Sequence, residues 1–288
     1  MFPVFAPRGF IARMRTGDPG DPLLRQVLPL AAEEVSEPGF TSDPVDEATA
    51  TRGPGLLQKY AGRVLMVTTG ACAVHCRYCF RREFPYQAAP KSLRDWQPAI
   101  DEIAADPSIH EVILSGGDPL TLTDDWLAGL VRRLAQVAHV RRLRIHTRLP
   151  IVIPERVCDE LLEWLTDSRL TPIVVVHANH PAEIDAAVAA ALGRLVESSV
   201  PVLNQSVLLR GVNDDANVLA ELCERLVDLR VMPYYLHQLD RVAGAAHFEV
   251  PEAEGLKIVA ELKALLPGYA VPRYVREMPG AASKVEIG

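Results

Sequence analysis

The sequence predicts an α/β protein whose core is a parallel, partly closed (β/α)6 barrel. Strand-like and helix-like stretches alternate at a period of roughly 30 residues, the length of a βα unit. Six such units follow one another after residue 60. Each predicted strand also ends in polar or glycine residues, which would meet at the carboxyl-end rim where barrel sites form. An open, doubly wound sheet is the alternative that the alternation leaves open.

The composition argues against membrane proteins, nucleic-acid-binding proteins and disulfide-rich proteins. The chain has 288 residues, 49% of them hydrophobic, and a net charge of -7. It has no apolar run near the roughly 20 residues that span a bilayer and no signal peptide, so we expect a cytoplasmic protein. The acidic balance, without a long basic block, argues against nucleic acid as the main partner. Three of the five cysteines are clustered, which argues for a reducing compartment and against a disulfide framework.

The chain divides into three predicted parts: an N-terminal wrapping segment (1–60), the barrel core (61–250) and a C-terminal segment (251–288). The wrapping segment is rich in Pro, Gly and Asp, with a predicted helix at 21–34. We predict strands at 63–69, 111–117, 141–147, 172–178, 201–209 and 232–240. Amphipathic helices are predicted between them at 92–105, 123–137, 154–167, 181–198 and 214–229.

A cysteine motif follows the first barrel strand. Cys72, Cys76 and Cys79 have the spacing CxxxCxxC. Three thiolates in one loop can hold three irons of a 4Fe-4S cluster and leave the fourth iron open to a ligand. A zinc knuckle is the alternative, but it needs four ligands, and the nearby fourth candidate, His75, lies inside the motif. Outside the motif, Cys158 and Cys223 fall in helix-like stretches and are predicted to be buried without a role.

The later strands end in residues suited to a ligand. The second strand ends in the segment SGGDP (115–119), whose glycines would let the backbone approach a ligand closely, although a simple turn explains them equally well. The next three strands carry polar residues that would be costly in a core unless paired: His146, Thr147, Arg148, His177, Asn179, His180, Asn204, Gln205 and Ser206. We expect them to face a ligand-filled centre. A histidine metal pair at 177–180 is less favoured, because it lacks Cys or carboxylate company.

The cysteine motif, with Tyr78 before its last cysteine and a strand before the loop, resembles the radical S-adenosylmethionine (SAM) superfamily. Further blocks resemble the lysine 2,3-aminomutase family over nearly the whole chain: ILSGGDPL, LRIHTRLPIVIPERV, LNQSVLLRGVNDD, MPYYLHQLDRVAGAAHF and PGAASK. The resemblance is greatest to the short branch of that family that makes (R)-β-lysine for elongation factor P.

The resemblance implies three cofactors: a 4Fe-4S cluster, SAM and pyridoxal 5'-phosphate (PLP). It implies that Lys284 binds PLP covalently, although composition alone would make this lysine part of a solvated tail. Tyr60 and Arg63 match the family's contacts to the PLP phosphate. The SAM contacts are expected at Ser115, Gly116, Gly117, Asp118, His177 and Gln205.

The implied activity is the isomerisation of L-lysine to β-lysine. Arg81 matches the family's arginine for the substrate carboxylate, and Asp240 and Glu277 match the acids that receive the ε-ammonium group. Partners implied by resemblance are elongation factor P and its lysyl ligase. An aminomutase for another amino acid, such as glutamate, and a non-catalytic iron-sulfur or zinc binding module remain the alternatives.

The sequence departs from the larger members of the family at three points. Glu277 stands where they have Asp, and AAS replaces their glycine run before the lysine. The sequence also ends soon after Lys284, without their oligomerising extension and its zinc-binding cysteines. These departures put a tetramer and structural zinc in doubt and leave a homodimer open.

Overall fold

A computed structural model describes residues 2–288 and contains one ten-stranded sheet. The strands are β1 (Thr51–Gly53), β2 (Leu56–Leu57), β3 (Arg63–Thr69), β4 (Glu111–Gly116), β5 (Arg142–Thr147), β6 (Thr171–His177), β7 (Val202–Val207), β8 (Met232–His237), β9 (Arg273–Arg276) and β10 (Val285–Glu286). The α-helices are α1 (Arg8–Ile11), α2 (Pro22–Arg25), α3 (Gln97–Ala105), α4 (Asp124–Ala135), α5 (Leu149–Val152), α6 (Asp159–Thr166), α7 (Ala186–Glu197), α8 (Ala216–Asp228) and α9 (Glu252–Leu265).

The strand order distinguishes a barrel from a doubly wound sheet. Strands β3 to β9 are parallel, and each pairs with its neighbour in the chain. Because βα connections are right-handed, an order without reversal carries the helices to one side of a curving sheet, as in a barrel. A doubly wound sheet instead needs a reversal of strand order. Antiparallel strands border the parallel set, with β1 and β10 at the two edges.

All six predicted barrel strands are confirmed, and β3 has the predicted bounds. Their buried, β-branched residues explain why they could be identified from sequence. Strand β4, for example, is buried along its whole length, as expected for a parallel strand covered on both faces. Two further elements, α9 and β9, continue the same alternation into a seventh parallel strand that the sequence analysis did not predict.

The predicted helix at 21–34 is wrong. The structure has α2 over four residues and then a separate 3-10 turn at Ala31–Glu34. Pro29 lies between them and explains the break, because proline cannot donate a backbone hydrogen bond and disfavours helical geometry in the residue before it. Asp21 caps α2 by accepting hydrogen bonds from the backbone amides of Leu23 and Leu24, both at 2.9 Å.

Two of the barrel helices, α7 and α8, begin at an aspartate that caps the helix. Asp185 accepts a 2.9 Å hydrogen bond from the backbone amide of Val188 at the start of α7, and Asp215 accepts one of 2.7 Å from Asn217 at the start of α8. Such caps satisfy donors that the first helical turn leaves free. Within residues 2–288, every helix is too short or too polar to cross a membrane.

Candidate active site

A cavity of about 410 Å³ opens at the carboxyl ends of the parallel strands. The last residues of five neighbouring strands, β4 to β8, line it: Gly116, Thr147, His177, Val207 and His237. Every residue that the sequence analysis assigned to the cluster, a cofactor or the substrate also lines this cavity. The fold therefore brings together residues that are separated by more than 200 positions in the chain.

The cysteine loop follows β3 directly, and its three motif cysteines are half-buried. Burial and the neighbouring thiols raise the pKa of Cys79 to about 11 and the pKa of Cys72 further. Both thiols are therefore protonated at neutral pH without a metal, and metal binding must release their protons.

The donor set fits an iron-sulfur cluster better than zinc. A zinc ion requires its ligands to converge within about 2.3 Å of one point. Across residues 2–288, no group of three or more His, Cys, Asp or Glu side chains is arranged to hold a single metal ion. A 4Fe-4S cluster makes no such demand, because each thiolate binds a different iron. Three half-buried thiols on one loop are thus suited to the larger group.

Two glycines at the end of β4, Gly116 and Gly117, dock against the cysteine loop and the end of β3. The backbone amide of Gly117 donates a 2.7 Å hydrogen bond to the carbonyl of Thr69, and the amide of Asp118 donates one of 2.7 Å to the carbonyl of Ala71. A Cβ atom at Gly117 would lie 2.2 Å from the Ala71 carbonyl oxygen. Gly116 adopts a φ of +121°, which other residues rarely adopt. These glycines are needed for loop contact, whatever ligand they also meet.

The carboxylate of Asp118 already accepts four hydrogen bonds from donors of the protein itself. Its carboxylate accepts hydrogen bonds from the Thr147 hydroxyl at 2.7 Å and from the backbone amides of Arg148, Leu149 and Leu120 at 2.7, 3.2 and 3.1 Å. Burial raises its pKa to about 6, and these hydrogen bonds oppose that shift. The carboxylate ties the end of β5 to the β4 loop. Direct contact between Asp118 and SAM remains a prediction.

Of the nine polar residues predicted to face a ligand, five line the cavity, and four do not: Asn179, His180, Asn204 and Ser206. His146, Thr147, Arg148, His177 and Gln205 line the cavity, as predicted for residues that face a ligand. The prediction is wrong for Asn204 and Ser206, whose side chains donate hydrogen bonds to the carbonyl of Ala178 at 3.1 and 2.7 Å. They face the opposite side of β7 because side chains alternate along a strand.

The histidine pair at 177–180 is not arranged as a metal site. His180 lies outside the cavity, and its Nδ1 accepts a 3.0 Å hydrogen bond from the backbone amide of Ala182. His177 lies 2.9 Å from the Tyr78 hydroxyl. Burial, followed by the nearby charge of Arg148, lowers the pKa of His177 to about 3, so its imidazole is neutral at pH 7.

Lys284 lies in the cavity and forms an ion pair with Glu277. The other oxygen of Glu277 accepts a 2.6 Å hydrogen bond from the Tyr60 hydroxyl and lies 3.6 Å from the Lys59 amine. Asp240 is the second acid, and burial raises its pKa to about 6 while the Lys284 charge opposes the shift. One reactive amine and two carboxyl groups thus share a small space.

The residues predicted to bind PLP are close to one another. The guanidinium of Arg63 stacks over the Tyr60 ring at 4.7 Å from its centroid. Tyr60 is in turn connected to Lys284 through Glu277. A phosphate would meet the Arg63 charge, and an aldehyde would meet the Lys284 amine, so the residues present fit PLP.

Arg81 has a partner that the sequence analysis missed. Its Nε and Nη2 donate hydrogen bonds of 2.8 and 2.6 Å to the two oxygens of Glu47, and Nη1 donates one of 3.0 Å to Ser115. Glu47 lies in an acid-rich, irregular loop of the wrapping segment, where no spacing or periodicity distinguishes it from its neighbours. The contact across 34 positions could be found only in the folded chain.

Comparison with known proteins identifies the relatives of this chain. Residues 66–223 match the model of the radical SAM superfamily. The chain is 47% identical over 284 residues to L-lysine 2,3-aminomutase of Haemophilus influenzae, covering 99% of this chain and 84% of the relative. It is 49% identical over 287 residues to L-lysine 2,3-aminomutase of Escherichia coli, covering 100% of this chain and 84% of the relative.

Solved structures share the fold at low sequence identity. Streptococcus suis SuiB has a TM-score of 0.58 and 12% identity, covering 76% of this chain and 50% of that protein. A radical SAM methyltransferase from Sphaerobacter thermophilus has a TM-score of 0.53 and 18% identity, covering 76% and 68%. With the relatives' identity extending over the full length, the chain belongs to the lysine 2,3-aminomutase family of the radical SAM superfamily.

Proposed function

We propose that this protein is an L-lysine 2,3-aminomutase that converts L-α-lysine to β-lysine. The amino group moves from Cα to Cβ and one hydrogen moves from Cβ to Cα, so the reaction is an isomerisation without net oxidation. The observation that carries the proposal is that the three motif cysteines and the Lys284 pair with Glu277 line one cavity. Relatives named for this activity, identical at 47% and 49% of aligned positions, support it.

The family uses a 4Fe-4S cluster, SAM and PLP, and the residues of the cavity suit each of them. When bound, the cluster and SAM supply radical chemistry at carbon, and PLP supplies the π system through which nitrogen migrates. We assign the cluster to Cys72, Cys76 and Cys79 and PLP to Lys284, Tyr60 and Arg63. We assign SAM to the remaining cofactor residues: Ser115, Gly116, Gly117, Asp118, His177 and Gln205. The chain itself orients the reactants and excludes water.

The ammonium end of the substrate is assigned to Glu277 and Asp240. Glu277 already accepts an alkylammonium group, that of Lys284, which is the same chemical group as the substrate's side-chain terminus. Engagement of Lys284 by PLP would release Glu277 for the substrate. Two carboxylates in a half-buried site favour a cationic side chain and disfavour glutamate, because like charges repel strongly where solvent screening is weak.

The carboxylate end of the substrate is assigned to Arg81. A guanidinium has five N–H donors, and Glu47 and Ser115 use three of those on Arg81. One N–H therefore remains on each of Nη1 and Nη2, and we assign these two donors to the substrate carboxylate, which a guanidinium edge binds in bidentate geometry. Glu47 fixes the plane of the guanidinium so that this edge is presented.

A substrate comparison tests the proposal. The reconstituted enzyme should convert lysine and leave glutamate unchanged. Asp240→Lys should abolish lysine turnover, because it replaces an acid of the ammonium site with a like charge, while iron content stays at the wild-type level. Asp228→Lys, at an exposed residue that ends α8, is the control and should retain activity. Lysine turnover by Asp240→Lys at the wild-type rate would refute the substrate assignment.

The physiological setting is a further part of this proposal and rests on resemblance to the short branch of the family. We propose an (R)-β-lysine product that is attached to elongation factor P by its lysyl ligase in the cytoplasm, where cluster thiolates stay reduced. Chiral chromatography of the product tests its configuration. Transfer of that product to elongation factor P by the ligase tests the link, and sedimentation tests for a homodimer.

A further inference from the structure

Arg148 contacts a sulfur of the cysteine motif. Its Nη1 donates hydrogen bonds to Cys76 Sγ at 2.7 Å and to the Tyr78 hydroxyl at 2.9 Å. Within residues 2–288, Cys76 is the one motif cysteine whose sulfur accepts a hydrogen bond from a charged side chain. The Arg148 side chain is only 7% exposed, so this charge acts on the sulfur with little screening by solvent.

Three segments of the chain hold Arg148 in this position. Nη2 donates hydrogen bonds to Gln26 at 2.6 Å and to Glu183 at 2.9 Å. The Arg148 backbone amide donates a 2.7 Å hydrogen bond to Asp118 in the loop after β4. Glu183 is fully buried and also accepts a hydrogen bond from Gln26 at 3.1 Å. Arg148 therefore cannot turn away from Cys76 without leaving a buried carboxylate unpaired, which is costly.

We propose that Arg148 is a positioning residue that raises the reduction potential of the cluster through its hydrogen bond to Cys76. Reduction adds one negative charge to the cluster and its thiolates. A fixed positive donor at one thiolate stabilises the reduced form more than the oxidised form, and hydrogen bonds to cluster sulfurs are known determinants of potential. The proposal rests on the ligand role assigned to Cys76 above. Radical SAM chemistry depends on electron transfer from this cluster.

The arrangement of the ion pair supports this direction. The guanidinium presents Nη1 to the sulfur and Nη2 to Glu183, so the positive end of the pair faces the cluster loop. Glu183 offsets part of the positive charge of Arg148, but it lies on the side of the guanidinium that faces away from Cys76. Removal of the Glu183 charge alone should therefore shift the potential in the opposite direction to removal of the Arg148 charge.

Redox titration of the reconstituted cluster, followed by electron paramagnetic resonance without SAM, PLP or lysine, tests the proposal. The double variant Arg148→Gln/Glu183→Gln removes both charges without leaving either one unpaired. Its midpoint potential should be lower than that of the wild type by about 59 mV or more, which corresponds to a tenfold change in a one-electron equilibrium. Glu183→Gln alone should raise the potential.

Arg156→Gln is the matched control, because Arg156 is a half-buried arginine that likewise contacts a cysteine sulfur, that of Cys158 at 3.6 Å, outside the motif. Its potential should equal that of the wild type. An unchanged potential in a double variant with full iron and sulfide content would show that Arg148 is only structural. If the double variant does not retain a cluster, Glu183→Gln decides: an unchanged or lower potential overturns the proposal.

Failure of this proposal can be distinguished from failure of the proposed function. The titration uses no amino acid and no PLP, so a wrong substrate assignment leaves its result unaffected. Cys76→Ala tests the ligand role separately, because loss of that thiolate should reduce the iron bound per chain. Iron content that is independent of Cys76 would remove the basis of the proposal, whereas a missing potential shift with Cys76 as a ligand would refute the role of Arg148 alone.

Discussion

The burial of the Asp240 carboxyl group, which we propose binds the substrate's ammonium group, costs stability. Its pKa is raised to about 6 in the folded chain by burial, from an ordinary value of 3.8. The folded state therefore holds this proton more tightly than the unfolded state between about pH 4 and pH 6. Stability falls as pH rises through that window, and the loss persists at neutral pH, where an ammonium ligand needs the ionised carboxylate.

Asp240→Asn should therefore stabilise the cofactor-free protein at pH 7 by about 1 to 3 kcal/mol, since one pKa unit corresponds to about 1.4 kcal/mol. The gain should vanish below about pH 4, where Asp240 is protonated in both states. Denaturant unfolding at several pH values measures this difference. The same variant should lose affinity for lysine. A variant less stable than the wild type at pH 7 would show that Lys284 and Lys59 already compensate the buried charge.

Single residues with distinctive chemistry could be predicted from the sequence. The residues that contact them in the folded chain could not. The cysteine spacing and the family blocks identified Cys72 and Lys284, and both line the cavity. Glu47 and Gln26 lie in irregular parts of the wrapping segment and gain their roles only by folding onto Arg81 and Arg148. Nothing in the local sequence distinguishes such a residue from an exposed one.

The contact between the β4 loop and the cysteine loop depends on Gly117. Gly117→Ala would bring a Cβ atom to 2.2 Å from the Ala71 carbonyl oxygen, so the backbone of one loop must shift. We expect a loss of about 1 to 3 kcal/mol, as for other overpacked sites, together with less iron bound per chain after reconstitution. Thermal unfolding and an iron assay measure the two effects.

Gly193→Ala in α7 is the control for that variant, because an added Cβ there meets no atom within 4 Å. Alanine in a helix is favoured over glycine by up to about 1 kcal/mol, so Gly193→Ala should be neutral or stabilising with full iron content. Equal iron content and stability in both variants would mean that the loop contact does not support the cluster site.

Strands and helices with a strong hydrophobic pattern could be predicted from the sequence. Elements whose sequence reflects contacts with distant parts of the chain could not. Buried β-branched runs identified the six barrel strands, whose bounds agree with the structure to within three residues. Helix α9 contains Gly255, which weakens the helical pattern. An added Cβ there would lie 2.2 Å from the Tyr274 hydroxyl of β9, so the glycine is explained by helix–sheet contact. Local propensity gives no information about such a contact.

The molecule as a whole should respond to PLP as one folding unit. A ligand that binds only the folded state stabilises it by about 2.7 kcal/mol when present at 100 times its Kd. PLP should therefore raise the melting temperature of the wild type and add the visible absorption of lysine-bound PLP. Lys284→Ala should lose the absorption and most of the shift. Lys257→Ala, at an exposed residue of α9, is the control and should behave as the wild type.

The barrel architecture could be predicted because six repeated units specify a parallel sheet, and the strand order agrees with it. The shared cavity could not be derived from any one unit. It forms because the carboxyl ends of the strands meet at one rim, and because the wrapping and C-terminal segments bring Glu47, Glu277 and Lys284 to that rim. The resemblance to a known family supplied roles that periodicity and composition do not specify.

The central claim is that one cavity unites radical SAM and PLP chemistry on a single lysine. Anaerobic reconstitution with iron, sulfide and PLP, followed by SAM, a strong reductant and L-lysine, tests it directly by chiral chromatography of the products. The wild type should form β-lysine, and Lys284→Ala, with the same iron content, should form none. SAM cleavage by the wild type without β-lysine, or equal product from Lys284→Ala, would contradict the claim.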